Sequence, residues 1–172
     1  LSVKCAVEFP VRPVVGVIGE YSDEKTRSLF DIISKLPSVY FLEYKFIFKP
    51  HPSSFIEIPA CLRDKVSFWN DDMSIDELNF ALTSANTSFV LDCYHLGTEI
   101  ISYVAPRELN MSPLVGIGGV AFFSDWLELE IFLRKYLHKN LRRIKVRQNL
   151  FNTGLGSEMW VRLFRRIEEI SL

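Results

Sequence analysis

Tyr44-Lys45-Phe46-Ile47-Phe48-Lys49-Pro50-His51-Pro52-Ser53-Ser54 is the stretch on which the reading of this chain turns. Its first half is a short apolar run of aromatic and β-branched residues, the composition of a strand buried on both faces. Pro50 and Pro52 end that strand. Neither has an N–H to give a sheet ladder, and each drives the residue before it toward extended geometry. Lys49 and His51 are thereby held in a stiff, non-helical loop at the strand's carboxyl end, the edge at which open α/β sheets bind ligands. A cation, an imidazole and the hydroxyls of Ser53 and Ser54 suit a phosphate or another oxyanion there. Alone, the same residues also fit a plain turn with a solvated histidine.

Working outward, Val14 to Ile18 reads as a buried strand, and Gly19-Glu20-Tyr21-Ser22-Asp23 turns out of it into a helix. Leu29, Phe30, Ile32, Ile33 and Leu36 fall at helical spacing, and Pro37 closes the helix. With the strand at 44–48 this makes a right-handed βαβ unit. Downstream, Pro59 leaves room for at most a short helix. Val66 to Trp69 is a short strand, Asn70-Asp71-Asp72 a turn with only weak metal-site character, and Ser74 to Glu77 has capping-box spacing that should start a short helix. Phe89 to Leu96 reads as a helix stopped by Gly97. Glu99 to Val104 is the next strand, Pro106 to Pro113 a loop, and Leu114 to Gly119 a short strand entering a glycine-rich turn. Asp125 to Glu128 again has cap spacing, ahead of a helix face of Trp126, Leu129, Leu133 and Leu137. A last helix carries Trp160, Leu163, Phe164, Ile167 and Ile170 as a core stripe. Residues 1–12 form a lead-in or edge segment. Strands alternating with helices predict a Rossmann-like α/β fold, a three-layer αβα sandwich on a mainly parallel sheet.

Composition sets the outer bounds. The 172 residues suffice for one domain with a real core, and 48% hydrophobic content excludes a disordered segment. A net charge of −1 offers no electrostatic footprint for nucleic acid. The basic run of Arg142, Arg143, Lys145 and Arg147 reads as a solvated linker or helix end, with an anionic polymer or peripheral membrane contact as the alternative. Cys5, Cys61 and Cys93 have no metal-like spacing and read as reduced core thiols of an intracellular protein. No apolar run reaches the length of a membrane span, so a cytoplasmic location is expected, peripheral at the inner face of the membrane at most. Because Leu1 is not a start methionine, the chain is expected to be a fragment.

A second polar corner sits at Asn86-Thr87-Ser88, where a strand hands over to a helix. Hydroxyls there can cap the helix, and its first N–H groups carry positive partial charge, which together make an anion cradle. The plain alternative is that Ser88 does no more than cap its own helix. Both corners, however, should face one sheet edge, and convergent polar groups are harder to dismiss than either set alone. Asp92 lies about one turn from Ser88 on the same face. It can accept hydrogen bonds from a ribose diol, or be an ordinary exposed charge.

Lys49-Pro50-His51-Pro52, followed by Thr87-Ser88-Phe89-Val90-Leu91-Asp92 and then Gly97 to Val104, resembles the carboxyl-terminal half of GT-B transferases. The closest patterns are those of CDP-glycerol glycerophosphotransferases of teichoic acid synthesis and of GT-B sialyl- and polysialyltransferases, enzymes of bacterial surface polysaccharide such as capsule and O-antigen. The motifs cover residues 44–104. The resemblance implies an inverting, metal-independent transfer with no cofactor, from a CMP- or CDP-linked sugar or polyol donor to a glycan or lipid-linked acceptor. It implies that His51, the catalytic candidate, contacts the donor phosphate, with Thr87 and Ser88 binding it and Asp92 reaching the ribose. Lys49, Pro52, Ser53, Ser54, Asn86 and Glu20 complete the donor-binding candidates. Imidazolium, Lys49 and the helix N-terminus would stabilise the leaving group. Two departures stand out. Thr-Ser replaces the Ser pair, and the Asp/Glu-Asp-Gly motif of the sialyltransferases, which they carry on a separate amino-terminal domain, is missing. One domain of a two-domain enzyme is therefore expected. Alternatives are a glycerophosphotransferase half, a nucleotide-sugar 2-epimerase-like domain with Glu20 as its acid, and a non-catalytic Rossmann-like module.

Overall fold

A computed structural model describes residues 12–54, 56–85 and 87–137. The lead-in residues 1–11 with Cys5, Asn86, the basic run at 142–147 and the helix expected over 160–170 lie outside the described residues.

Six strands form one sheet in the order β3-β2-β1-β4-β5-β6. They are β1 (Val14–Ile18), β2 (Lys45–Lys49), β3 (Val66–Phe68), β4 (Phe80–Ser84), β5 (Glu99–Tyr103) and β6 (Val120–Phe123). Every pairing is parallel. The order reverses between β1 and β4, which is the doubly wound Rossmann arrangement with its switch point at those two strands. The expected fold class is what is found.

Side-chain alternation along the strands sorts the core into two layers. Phe46, Phe48, Phe80 and Leu82 meet Leu29, Phe30 and Ile33 of α1 (Asp23–Ser34) and Leu129 and Leu133 of α4 (Trp126–Leu137) on one face. Ala81 and Ile100 meet Val90, Cys93 and Tyr94 of α3 (Phe89–His95) on the other. Where β4 and β5 must bury hydroxyls, they pair them: Thr83 donates to Ser102 at 3.4 Å, so the polar groups stay satisfied. Gly16 in β1 faces Leu78, whose Cδ1 lies 2.7 Å from where a Cβ would be, so an added methyl would force this buried side chain of the β3–β4 connection to shift.

Local chemistry explains the helix ends. Ser22 caps α1 through the Lys25 N–H, and Asp23 and Glu24 favour its positive end. Gly97, at φ 76°, takes the left-handed position that stops α3. The turn at 70–72 is held by the Asn70 side chain, which accepts from the Asp72 N–H at 2.6 Å.

Several expectations need correction. Leu114 to Gly119 is not a strand: Gly116 and Gly119 have φ of 79° and 87°, incompatible with extended pairing, and Leu114 is buried against α3 instead. The sixth strand follows it, at Val120–Phe123. Ser74 to Glu77 forms the expected capping box, and the short helix it starts is a single 3₁₀ turn (Ile75–Glu77) rather than an α-helix. A short helix, α2 (Val39–Glu43), follows Pro37 and was not expected. Cys93 is a buried thiol, whereas Cys61 is exposed rather than part of the core. No helix among the described residues is long and apolar enough to cross a membrane.

Candidate functional site

The two polar corners do meet. A cleft of about 230 Å³ lies over the carboxyl ends of β1 and β2 and the start of α3, at the switch point of the sheet. Ile18 and Gly19 form its base, Lys49, Pro50, His51 and Pro52 one wall, and Thr87, Ser88, Phe89 and Asp92 the other. Parallel pairing accounts for this placement. Ile18 stands opposite Lys49, and the Gly19 N–H donates to the Lys49 carbonyl at 2.8 Å, carrying the β1–β2 ladder one residue beyond the strands. Gly19 also has the His51 backbone nitrogen 3.0 Å from a notional Cβ, so only a bare residue lets the His-Pro loop come this close.

Each predicted residue can be placed. The His51 ring accepts the Ser53 N–H at Nδ1, 3.2 Å away, and stands perpendicular to the Tyr21 ring at a centroid distance of 5.8 Å. With Nδ1 used as an acceptor, the neutral ring carries its proton on Nε2. Lys49 brings a positive charge to the same wall. Its Nζ sits 4.7 Å over the Trp69 ring and 6.0 Å from Phe89, and it forms no salt bridge among the described residues. The two rings hold the ammonium at the cleft without neutralising it.

Ser88 does not cap α3. Its backbone is helical, its side chain makes no capping bond, and the hydroxyl is exposed. Thr87 serves instead, its Oγ1 accepting the Phe89 N–H at 3.3 Å. The plain explanation for Ser88 is thus removed, and its hydroxyl remains available to a ligand. With only seven residues, α3 contributes less at its N-terminus than a long helix would. Asp92 is exposed at the cleft wall, one turn from Ser88.

Three predicted residues stand apart from the cleft. The exposed Ser53 holds the loop through its backbone, while the Ser54 hydroxyl donates to Asp23 Oδ1 at 2.7 Å and ties the loop to α1. Glu20 is buried at 6% exposure and accepts a hydrogen bond from Ser84 at the end of β4, with its own N–H donating to Thr26 Oγ1 at 2.9 Å. It is a packing carboxylate of the strand ends, not a wall of the cleft. Sequence reasoning missed Gly19, Trp69 and Phe89. The signal for Trp69 lay in β3 pairing with β2, since the residue after Phe68 must then sit beside Lys49.

No protein family matches the chain, and no curated protein matches it in sequence. Among solved structures, that of the glycotransferase of kitacinnamycin is similar to it at 12% sequence identity over 81% of this chain, with a TM-score of 0.48. The chain spans 40% of that protein's length.

Proposed function

We propose that the cleft binds the diphosphate and ribose of an activated donor, so that this domain is the donor-nucleotide half of a metal-independent inverting glycosyltransferase of cell-surface polysaccharide synthesis. What carries the reading is the meeting of Lys49 and His51 with Thr87, Ser88 and Asp92 at the sheet's switch point, the place where Rossmann-like sheets hold nucleotides. Departure of a nucleoside diphosphate or monophosphate leaves negative charge on phosphate oxygens. Lys49 offsets that charge, while the His51 Nε2–H and the Ser88 hydroxyl donate to the same oxygens. Asp92 accepts from the ribose diol. A cytidine nucleotide, the glycan or lipid-linked acceptor and an amino-terminal domain that supplies the base belong to the same proposal. The 2-epimerase alternative is weaker, because its nominated acid, Glu20, does not line the cleft.

Thermal unfolding with CMP, CDP, UDP and GDP tests this. At a hundredfold excess over Kd a ligand stabilises by about 2.7 kcal/mol, and at about 2–4 °C per kcal/mol the Tm should rise by roughly 5–11 °C. The rise should be selective for cytidine nucleotides and vanish in His51→Ala, Lys49→Ala and Ser88→Ala. A shift that survives all three substitutions puts the ligand elsewhere. Absence of a shift with every nucleotide removes the proposal.

A further inference from the structure

A second concavity lies on the helical side of the same sheet edge, between α1 and the turn that starts α4, and at about 590 Å³ it exceeds twice the volume of the cleft. It shares no residue with that cleft. We infer that this groove is a binding site for an uncharged saccharide, built on the aromatic pair Tyr103 and Trp126 with Arg27 and Glu24 at its rim.

The case begins with charge. Asp31 and Lys35 on the groove wall cancel each other as an ion pair at 2.6 Å. Asp125 is engaged by the Glu128 N–H at 3.0 Å, in its role at the start of α4. Asp125 keeps its charge, and with Glu24 it sets two carboxylates against the single guanidinium of Arg27; none of the three forms a salt bridge among the described residues. A phosphorylated ligand finds no net positive charge here.

Shape and chemistry supply the rest. Tyr103 and Trp126 are half-buried and pack partly on the core, leaving aromatic surface in the groove. The Tyr103 hydroxyl has no hydrogen-bond partner among the described residues, and burial raises its pKa, so it stays a donor through neutral pH. A sugar ring has an apolar C–H face and a rim of hydroxyls that both donate and accept. An aromatic floor, a guanidinium fork, a phenol and a carboxylate match those two sides in turn. The volume falls inside the roughly 300–1,000 Å³ of small-molecule sites and admits a short oligosaccharide rather than one ring. A recess of about 90 Å³, sharing Glu24, Ser28 and Tyr103, extends the groove toward Ser84 at the end of β4.

Saturation-transfer NMR on the full chain, with maltotriose and chitotriose at millimolar concentration as probes, tests the assignment. The expected result is transfer to ring C–H protons of at least one sugar, abolished in Trp126→Ala. In Arg27→Ala, an exposed position whose loss leaves the core intact, affinity should fall about tenfold, the loss of one charge-assisted hydrogen bond. His51→Ala should leave the sugar signal unchanged even if it removes nucleotide binding, so the two sites fail separately. Silence from both sugars overturns the inference. So does a signal that persists in both groove variants, or one that inorganic pyrophosphate displaces.

Discussion

Replacing Gly19 by alanine puts a methyl carbon where the sheet edge has no space for one. The added Cβ would lie 3.0 Å from the His51 nitrogen, 3.2 Å from the Lys49 carbonyl oxygen and 3.2 Å from Phe48 Cε2. Two of these neighbours are backbone of the loop that carries the site, and the third is on a fully buried ring. The loop cannot retreat freely, because the Gly19 N–H is bonded to the Lys49 carbonyl at 2.8 Å. Overpacking of this kind costs about 1–3 kcal/mol. At about 2–4 °C per kcal/mol the Tm should drop by roughly 2–12 °C. The strain also moves His51 and Lys49 by a few tenths of an ångström. If one charge-assisted bond to phosphate is lost, worth about 1.5–3 kcal/mol, nucleotide affinity falls about 10- to 100-fold. Gly16→Ala is the control: its Cβ meets Leu78 Cδ1 at 2.7 Å, inside the core and away from the loop. Urea denaturation of both variants, with CDP-induced thermal shifts measured alongside, separates the effects. Both should lose stability, but only Gly19→Ala should show a shift cut to about half or less. Wild-type stability in Gly19→Ala, or a destabilised Gly19→Ala that keeps the full shift, would refute the reasoning.

Two further outcomes follow from buried polar groups. Tyr44 is 1% exposed and donates to the Leu133 carbonyl at 2.7 Å; burial first, then Tyr40 and Glu43, raises its pKa far above that of a free tyrosine. The unfolded chain therefore loses this proton at a pH where the folded chain keeps it. Stability is complete below about pH 10 and falls above it by about 1.4 kcal/mol per pH unit. Urea titrations at rising pH should show that decline, and Tyr44→Phe should flatten it while costing about 0.5–1.5 kcal/mol at neutral pH. Ser84→Ala strips a donor from the buried Glu20 carboxylate and should cost about 1–3 kcal/mol in chemical denaturation, whereas an unchanged midpoint would mean that the pair holds nothing together.

The fold was legible because its strong signals are physical contrasts that sit close together in the chain. A buried run at Val14 to Ile18, a 3.6-period face at Leu29 to Ile33 and a buried run ended by Pro50 leave few arrangements besides a parallel βαβ unit. The errors came where local pattern and backbone geometry disagree. Leu114, Val115 and Ile117 have strand composition, yet the left-handed glycines among them forbid a strand, and hydropathy carries no dihedral information. α2 was missed because five residues are too few for a helical period to show. At the site, the meeting of the His-Pro and Thr-Ser corners was readable, since both follow strands of one sheet. The division of labour inside them was not. Which hydroxyl caps α3, which serine anchors the loop to Asp23, and where Glu20 turns depend on side-chain geometry that only tertiary packing sets. The aromatic seat of Lys49 depends on strand pairing that brings Trp69 and Phe89 from distant parts of the chain.

That seat also makes the protein its own optical sensor. An ammonium resting on an indole face perturbs the indole's excited state, and an anion that draws Lys49 away would relieve the perturbation. Intrinsic emission from Trp69 should then change as the cleft fills, with no dye or label attached. A chain in which the other tryptophans are replaced by phenylalanine would report occupancy directly, at concentrations where calorimetry has too little heat to measure.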